Sequence, residues 1–333
     1  MSQLKITSRT RPRRAGSALF VVLAALLGLL ALPAPAQAAI WHEYPPAANR
    51  TCSDSRVHNG TSYQVCLEYN HARTQVRTVA FIAPGAYTNF QVNIRLAFGG
   101  GGPNITDSCP TMTTNGRRAC YTAFTDMRRP YAVAEATFGI AGQWMLTVRA
   151  LDMKVEAKVQ ERDNWCGPGS VQTLLATLGR SAPSQATLAD KLGTNEFHGV
   201  TFPGRMPEAI NQYLPPSDWQ YTWGAYDVGT GPLYESVQGH IRTSLNRGKP
   251  VVVLVIPGNL PWNDTPTPFY RHYVVIHGYG GAVHPGGQVW PETYKVSDPW
   301  DGSEHSIDVD VLLKGAAHNA WDLSGDVVAL VRT

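Results

Sequence analysis

From about Ile40 to Arg149 the apolar positions come in short alternating runs: Tyr63-Val65-Leu67, Val76 to Ile82, Phe90-Val92-Ile94-Leu96, Tyr131 to Ala136 and Trp144-Leu146-Val148. A period of two sends successive side chains to opposite faces, so these runs predict half-buried strands. Gly99 to Pro103 and Thr111 to Gly116 are expected to be turns between them. After about Leu151 the pattern changes. Val171, Leu174, Leu175 and Leu178 stand at i, i+3, i+4 and i+7, which gives a helix one apolar face, and Gly179 supplies its stop. Pro168 suits a first helical turn, where a missing N–H costs nothing, so Cys166 sits at or just before the helix N-terminus.

Further helices are predicted over Ser184 to Leu192, Pro207 to Leu214 and Tyr234 to Asn246, the first and last closed by Gly193 and Gly248. Strands then follow at Val251 to Ile256, His272 to Gly278, Thr293 to Val296 and Val327 to Val331, with a short helix at Val309 to Leu313. The fold class expected is α+β, helices first and sheet afterwards, preceded by a small all-β, sandwich-like domain.

The amino end changes the compartment. Lys5, Arg9, Arg11, Arg13 and Arg14 precede an apolar run from about Ala18 to Leu32 and the small-residue site Ala36-Gln37-Ala38, the pattern of a secretory signal peptide. We therefore expect a signal at 1–38, a β-rich accessory domain at 39–150 and a second domain at 151–333, in a secreted, extracellular protein with no membrane association after cleavage. Without the five basic residues of the signal, the 28 Lys and Arg become 23 against 25 Asp and Glu. A near-neutral chain has no electrostatic footprint for nucleic acid.

Cysteine usage divides the chain at the same place. Cys52, Cys66, Cys109 and Cys120 cluster in the first part and predict two disulfides, each worth about 2–4 kcal/mol, with Cys52–Cys66 and Cys109–Cys120 the expected pairing among three possibilities. Cys166 is left over. At a helix start the positive end of the dipole and the free backbone N–H groups stabilise a thiolate, so the leftover residue is a candidate nucleophile rather than an inert buried thiol.

Three other residues complete that chemistry. Gln160, six residues before Cys166, is a candidate oxyanion donor alongside the Cys166 N–H. His272 opens a β run and is the candidate base; His277, an odd number of residues away, should face the opposite side. Asp298, in Val296-Ser297-Asp298-Pro299-Trp300-Asp301, ends a strand at a turn and is available to orient the far nitrogen of His272, with Asp301 the competing acid and Trp300 a possible shield. Metal chemistry lacks a His-Glu-x-x-His helix or a zinc-type Cys pair, and Gly99 to Gly102 and Gly278-Gly280-Gly281 lack phosphate-loop context, so no metal or cofactor is expected.

The ordered set Gln160…Asn164-Trp165-Cys166-Gly167-Pro168-Gly169-Ser170, Gly248-Lys249-Pro250-Val251-Val252-Val253, His272-Tyr273-Val274-Val275 and Val296-Ser297-Asp298-Pro299-Trp300 resembles the papain-like, bacteriocin-processing (double-glycine leader peptidase-like) family of cysteine peptidases over residues 155 to 331. The resemblance implies a C-terminal antiparallel sheet, a Cys166 nucleophile, a His272 base, an Asp298 orienter and a Gln160 oxyanion residue. It also implies hydrolysis of a peptide or protein substrate through an acyl-thioester. Two departures stand out: Gly169 replaces a common Ala, and the membrane and nucleotide-binding domains of exporter members are missing, so cleavage after a double-glycine leader does not follow. Transglutaminase-like acyl transfer and amide hydrolysis of cell-wall peptides share the thioester and stay open. So does an inactive extracellular binding module. Substrate sequence, the role of 39–150, processing and oligomeric state are not fixed by any of these residues.

Overall fold

Alternation in the first part of the chain yields β1 (Arg50–Cys52), β2 (Arg56–His58), β3 (Thr61–Tyr69), β4 (Gln75–Ala83), β5 (Thr88–Phe98), β6 (Ile105–Thr114), β7 (Arg118–Tyr121), β8 (Thr125–Asp126), β9 (Tyr131–Ile140), β10 (Gln143–Trp144) and β11 (Val148–Met153). The second part contributes α1 (Cys166–Thr177), α2 (Gln185–Leu192), α3 (Met206–Asn211), β12 (Thr222–Asp227), α4 (Pro232–Asn246), β13 (Val251–Val255), β14 (His272–Val283), β15 (Val289–Asp298), β16 (Ser303–Asp308), α5 (Val309–Ala317) and β17 (Val327–Arg332). The computed structural model describes residues 40–333 except 47–48, 101, 103, 128–129, 195–200, 228–231, 264–270 and 318–326, so the expected export signal lies outside the described residues.

Two sheets form, and every strand pair in them is antiparallel. The smaller runs β1-β3-β4-β7, with β2 on β3 and β8 on β4. The larger runs β12-β17-β13-β14-β11-β9-β5-β6, with β10 on β9 and β15-β16 continuing from β14. Tyr63, Val65 and Leu67 of β3 meet Val92, Ile94, Ala136 and Phe138 of β5 and β9, so the first part has a sandwich core between two sheets. Farther along the large sheet, α1 covers one face through Val171, Leu174 and Leu175 against Val252, Leu254, Tyr273 and Val275. On the other face α4 and α5 pack Val237, Ile241, Leu245, Leu312 and Leu313 against Val251, Val253, Val274 and Ile276. The result is sheet-rich α+β, with both disulfides in the first part.

Helix ends follow their local chemistry. Ser184 caps α2 by accepting from the Thr187 N–H, and Gly193 closes it at φ 62°. Gly179, at φ 67°, closes α1 as its N–H bonds the Ala176 carbonyl.

Four details differ from the pattern read along the chain. Thr111 to Thr114 belong to β6, not to a turn. This is the edge strand of the large sheet, polar on its outer side, and so it shows little hydrophobic alternation. Trp144 to Val148 is not one strand: β10 pairs with the end of β9, and β11 begins at Val148. Gly278, Gly280 and Gly281 lie inside β14 rather than at its end. A Cβ at Gly280 would stand 2.3 Å from the Cys52 carbonyl oxygen, so the missing side chain is what lets β1 cross β14. Finally, the polar strands β12 and β16 were not apparent from hydrophobic periodicity.

Residue 150, where the sequence pattern changes, lies in β11. This strand pairs with β9 on one side and β14 on the other, so the large sheet is continuous there. Cys52–Cys66 bridges directly opposed positions of β1 and β3, and Cys109–Cys120 ties β6 of the large sheet to β7 of the small one.

Asp152, on β11, has no exposure and joins the two parts. It accepts from His277 Nδ1 of β14 at 2.9 Å, Thr51 Oγ1 of β1 at 2.7 Å and Tyr69 Oη of β3 at 3.0 Å; Arg73, bound to Glu304, stands 3.8 Å away. Burial acts to raise its pKa, but the bond and charge of His277, the Thr51 hydroxyl and Arg73 together hold it below the usual carboxylate range. A depressed carboxylate contributes stability above about pH 4 that is lost as pH falls through its folded value. Asp152→Ala, which strands His277 and two hydroxyls, should cost about 3–5 kcal/mol in urea unfolding at neutral pH. The gap between wild type and Asp152→Asn should shrink on acidification; a variant as stable as wild type at neutral pH would remove this carboxylate as the link.

Candidate active site

Cys166 is the first residue of α1. Its predecessor Trp165 makes no side-chain cap and the first turn carries no acidic residue, so no carboxylate competes for the positive end of the helix. The thiol is 7% exposed and is the only free cysteine, the other four being paired. Gly167 follows because Thr201 lies against the helix start: a Cβ there would sit 2.2 Å from the Thr201 hydroxyl. Tyr273 holds Thr201 by donating to its carbonyl at 2.6 Å.

His272 begins β14 and is 5% exposed. Its Nε2–H donates to Asp298 Oδ1 at 2.6 Å, which leaves Nδ1 free for Cys166, a residue close enough to act on the imidazole's charge; the Cys166 thiol itself lies 4.0 Å from the Arg271 carbonyl, next to His272 in sequence. Antiparallel pairing explains the meeting. Val275 opposes Ser297 and Ile276 opposes Val296, so the start of β14 and the end of β15 lie at the same end of the hairpin.

Asp298, 2% exposed, has a full set of donors. Besides His272, its Oδ1 accepts from the Trp300 N–H at 2.8 Å, and its Oδ2 accepts from the Trp262 indole N–H at 2.9 Å. Burial opposes its charge, but the bond and charge of His272, the indole and the Trp300 amide outweigh it and keep the carboxyl below its usual range. For His272, burial alone would lower the pKa; the bond to Asp298, then the bond and charge of Cys166 and the charge of Asp298, push it up to about 10.

Gln160 reaches the same corner. Its N–H donates to the Pro299 carbonyl at 2.6 Å, and Gly169 of α1 lies so close to this junction that a Cβ there would be 3.1 Å from Pro299 Cβ and 3.5 Å from Gln160 Cβ. Gly169, where an Ala was expected from the resemblance, thus allows the helix to sit tight on the turn. The Gln160 carboxamide itself bonds its own loop: Nε2 donates to the Arg162 and Asp163 carbonyls, both at 3.0 Å, while the buried Oε1 has no partner among the described residues.

Other candidates fall elsewhere. His277 is fully buried on Asp152, and its Nε2 makes no hydrogen bond among the described residues. Asp301 serves its turn by accepting from the Ser303 N–H and hydroxyl. Trp300 does not shield the His272–Asp298 pair with its ring, which is 57% exposed; the ring on Asp298 belongs to Trp262, stacked on His305 with centroids 3.9 Å apart and planes 2° apart. Trp262 and Thr201 carried no motif or period by which they were recognisable beforehand.

A thiol at a helix start, an imidazole on a neighbouring strand and a carboxylate bonded to it fit a papain-like arrangement. The model of the Peptidase_C39 like family matches residues 151–328, more than half of the chain. The protein belongs to that family, and its second part is a domain of cysteine-peptidase type. No curated protein and no solved structure matches the chain.

A group whose pKa is raised on folding contributes stability that is fully present below its unfolded value of about 6.5 and lost as pH rises through the folded value. The wild-type protein should therefore lose melting temperature between neutral pH and pH about 10 more steeply than His272→Gln. In an NMR titration with isotope-labelled histidine, His272 should keep its proton past neutrality. Asp298→Asn and Cys166→Ala should each lower its titration point; unchanged points in both variants would contradict the pairing.

Proposed function

We propose that the chain is an exported cysteine peptidase of the papain type, close to the bacteriocin-processing branch in its motifs but not tied to a double-glycine leader. Cys166 is its nucleophile, His272 its base, Asp298 the orienter and Gln160 the oxyanion residue. The observation that carries the reading is the buried His272–Asp298 bond, its carboxylate held by three donors, with Cys166 at the helix start near enough for its charge to act on the imidazole. Two disulfides favour an oxidising exterior.

The chemistry follows from those contacts. The sulfur yields its proton to Nδ1 of His272, and the resulting imidazolium is held by Asp298 through Nε2–H. Attack forms a bond from Sγ to the substrate carbonyl carbon, and the oxygen takes up negative charge. The Cys166 N–H at the helix start and the Gln160 amide are its donors, the latter after its bonds to the Arg162 and Asp163 carbonyls give way. Collapse breaks the C–N bond as the imidazolium protonates the leaving amine. Water then adds to the thioester, losing its proton to His272, and the acid departs as the thiol is restored. Residues 39–150 are read as the substrate-positioning part, on the strength of sharing one sheet with the peptidase part.

Thiol alkylation against pH tests the nucleophile: Cys166 should react with iodoacetamide at mildly acidic pH, and His272→Ala should abolish that reactivity. Superimposable profiles would sink the mechanism. With a peptide substrate selected from a proteome-derived library, Gln160→Ala should lower kcat by ~10²–10³ with little change in KM. An amine-capture product in place of the free acid would redirect the reading to acyl transfer.

A further inference from the structure

The outer face of the large sheet in the first part of the chain carries a cavity of about 530 Å³ over β5, β6 and β9, with β11 between it and the peptidase strand β14. That volume is in the range of ligand sites, roughly 300–1,000 Å³. Strand alternation explains its chemistry. Val92, Ile94, Ala136, Phe138 and Val148 point into the sandwich core, so their neighbours in sequence make up the outer face.

Strand register arranges those neighbours in three rows, because directly opposed residues share a face. The first row is Thr106, Arg95, Glu135 and Arg149; the second is Ser108, Asn93 and Thr137; the third is Gln91, Gly139 and Trp144. Asn93, Arg95, Ser108, Glu135, Thr137 and Thr147 line the cavity. Its charges offset one another: Glu135 accepts from Arg95 Nη1 at 2.9 Å and from Arg149 Nε at 2.8 Å, Asp107 is a second lining carboxylate, and the Thr137 and Thr147 hydroxyls bond each other at 2.6 Å. What faces solvent is a mixture of hydroxyl, amide and spare guanidinium groups, offering donors and acceptors together.

The third row supplies a flat apolar surface. Trp144 is 53% exposed although it is a large aromatic, and it lies one pleat beyond Thr137 on the same face, opposite a glycine. Gly139 is required there, since a Cβ would come within 2.9 Å of the Gln91 side chain, which lies across it and accepts from Thr111 at 3.2 Å. An indole lying open beside a row of hydroxyl and amide groups, with an internally paired charged row beyond, suits a ligand with one flat C–H face and an equatorial ring of hydroxyls.

We infer that this face binds a neutral polysaccharide, a pyranose ring stacking on Trp144 while the chain runs over the Asn93 and Arg95 rows. The site is separate from the peptidase chemistry and stands whether or not that reading holds. A charged glycan is the poorer fit, because the face sets Arg95 and Arg149 against Glu135 and Asp107, so neither sign of charge prevails.

The full mature chain carrying Cys166→Ala should be slowed in affinity electrophoresis by at least one of three soluble neutral probes, a β-linked glucan, a xylan and a chitin oligosaccharide conjugate. Trp144→Ala should weaken that retention ~10-fold and Trp144→Phe less, since the ring is kept. Asn93→Ala should also weaken it, and melting curves should match the parent for all three variants. Failure of every neutral probe, retention only by an anionic polysaccharide and only at low salt, or retention indifferent to both Trp144→Ala and Asn93→Ala would each overturn the proposal. Because no turnover is measured, these results are independent of whether Cys166 is a nucleophile.

Discussion

A carboxylate as buried as Asp298 is tolerated only when donors surround it, because the cost of removing its charge from water must be offset by bonds and an opposing charge. Three groups converge on it: the His272 imidazole, the Trp262 indole and the Trp300 amide. Around that requirement the candidate site is arranged. The hairpin of β14 and β15 brings His272 and Asp298 to one end, and the turn at Pro299 receives the Gln160 N–H and packs on Gly169 of α1. The helix that presents Cys166 is therefore anchored to the same turn that carries the carboxylate.

The protein contains a second buried Asp–His pair, Asp152 with His277, and the contrast between the two is instructive. Both carboxylates are depressed and both histidines are almost without solvent. Yet Asp152 collects hydroxyls from β1 and β3, and the outer nitrogen of His277 meets no hydrogen-bond partner among the described residues. That pair joins two parts of a fold. At His272 the nitrogen not used by Asp298 is left for Cys166, whose charge acts on the ring, and this is the pair that belongs to the candidate site. Burial and pairing alone do not single out a candidate catalytic pair; a thiol as the third group is what distinguishes this one.

Large parts of this architecture were legible along the chain. Leu174, Leu175 and Leu178 with Gly179 announced α1, and Ser184 with Gly193 bounded α2, because caps and apolar stripes are local features. The local disulfide pairing could be anticipated; the four candidate residues were singled out by type and spacing alone. The edge strand β6 and the strands β12 and β16 were not apparent, since a strand that is polar on its open side lacks the alternation that reveals buried ones. The run of glycines in β14 resembled a turn because nothing nearby in sequence indicates that β1 passes over it.

By itself the sequence determined where helices and strands begin, that one thiol would stand unpaired at a helix start, and which imidazole and carboxylate were available to it. These depend on interactions within a few residues and on composition. Tertiary structure alone decided that Trp262, rather than Trp300, would rest on Asp298, that Thr201 would close over Gly167, and that the Gln160 amide would bond its own loop. Each of those contacts joins groups whose proximity is set by sheet register and packing, and no periodicity of side chains along a chain encodes which distant atoms a fold will bring within a hydrogen bond's length.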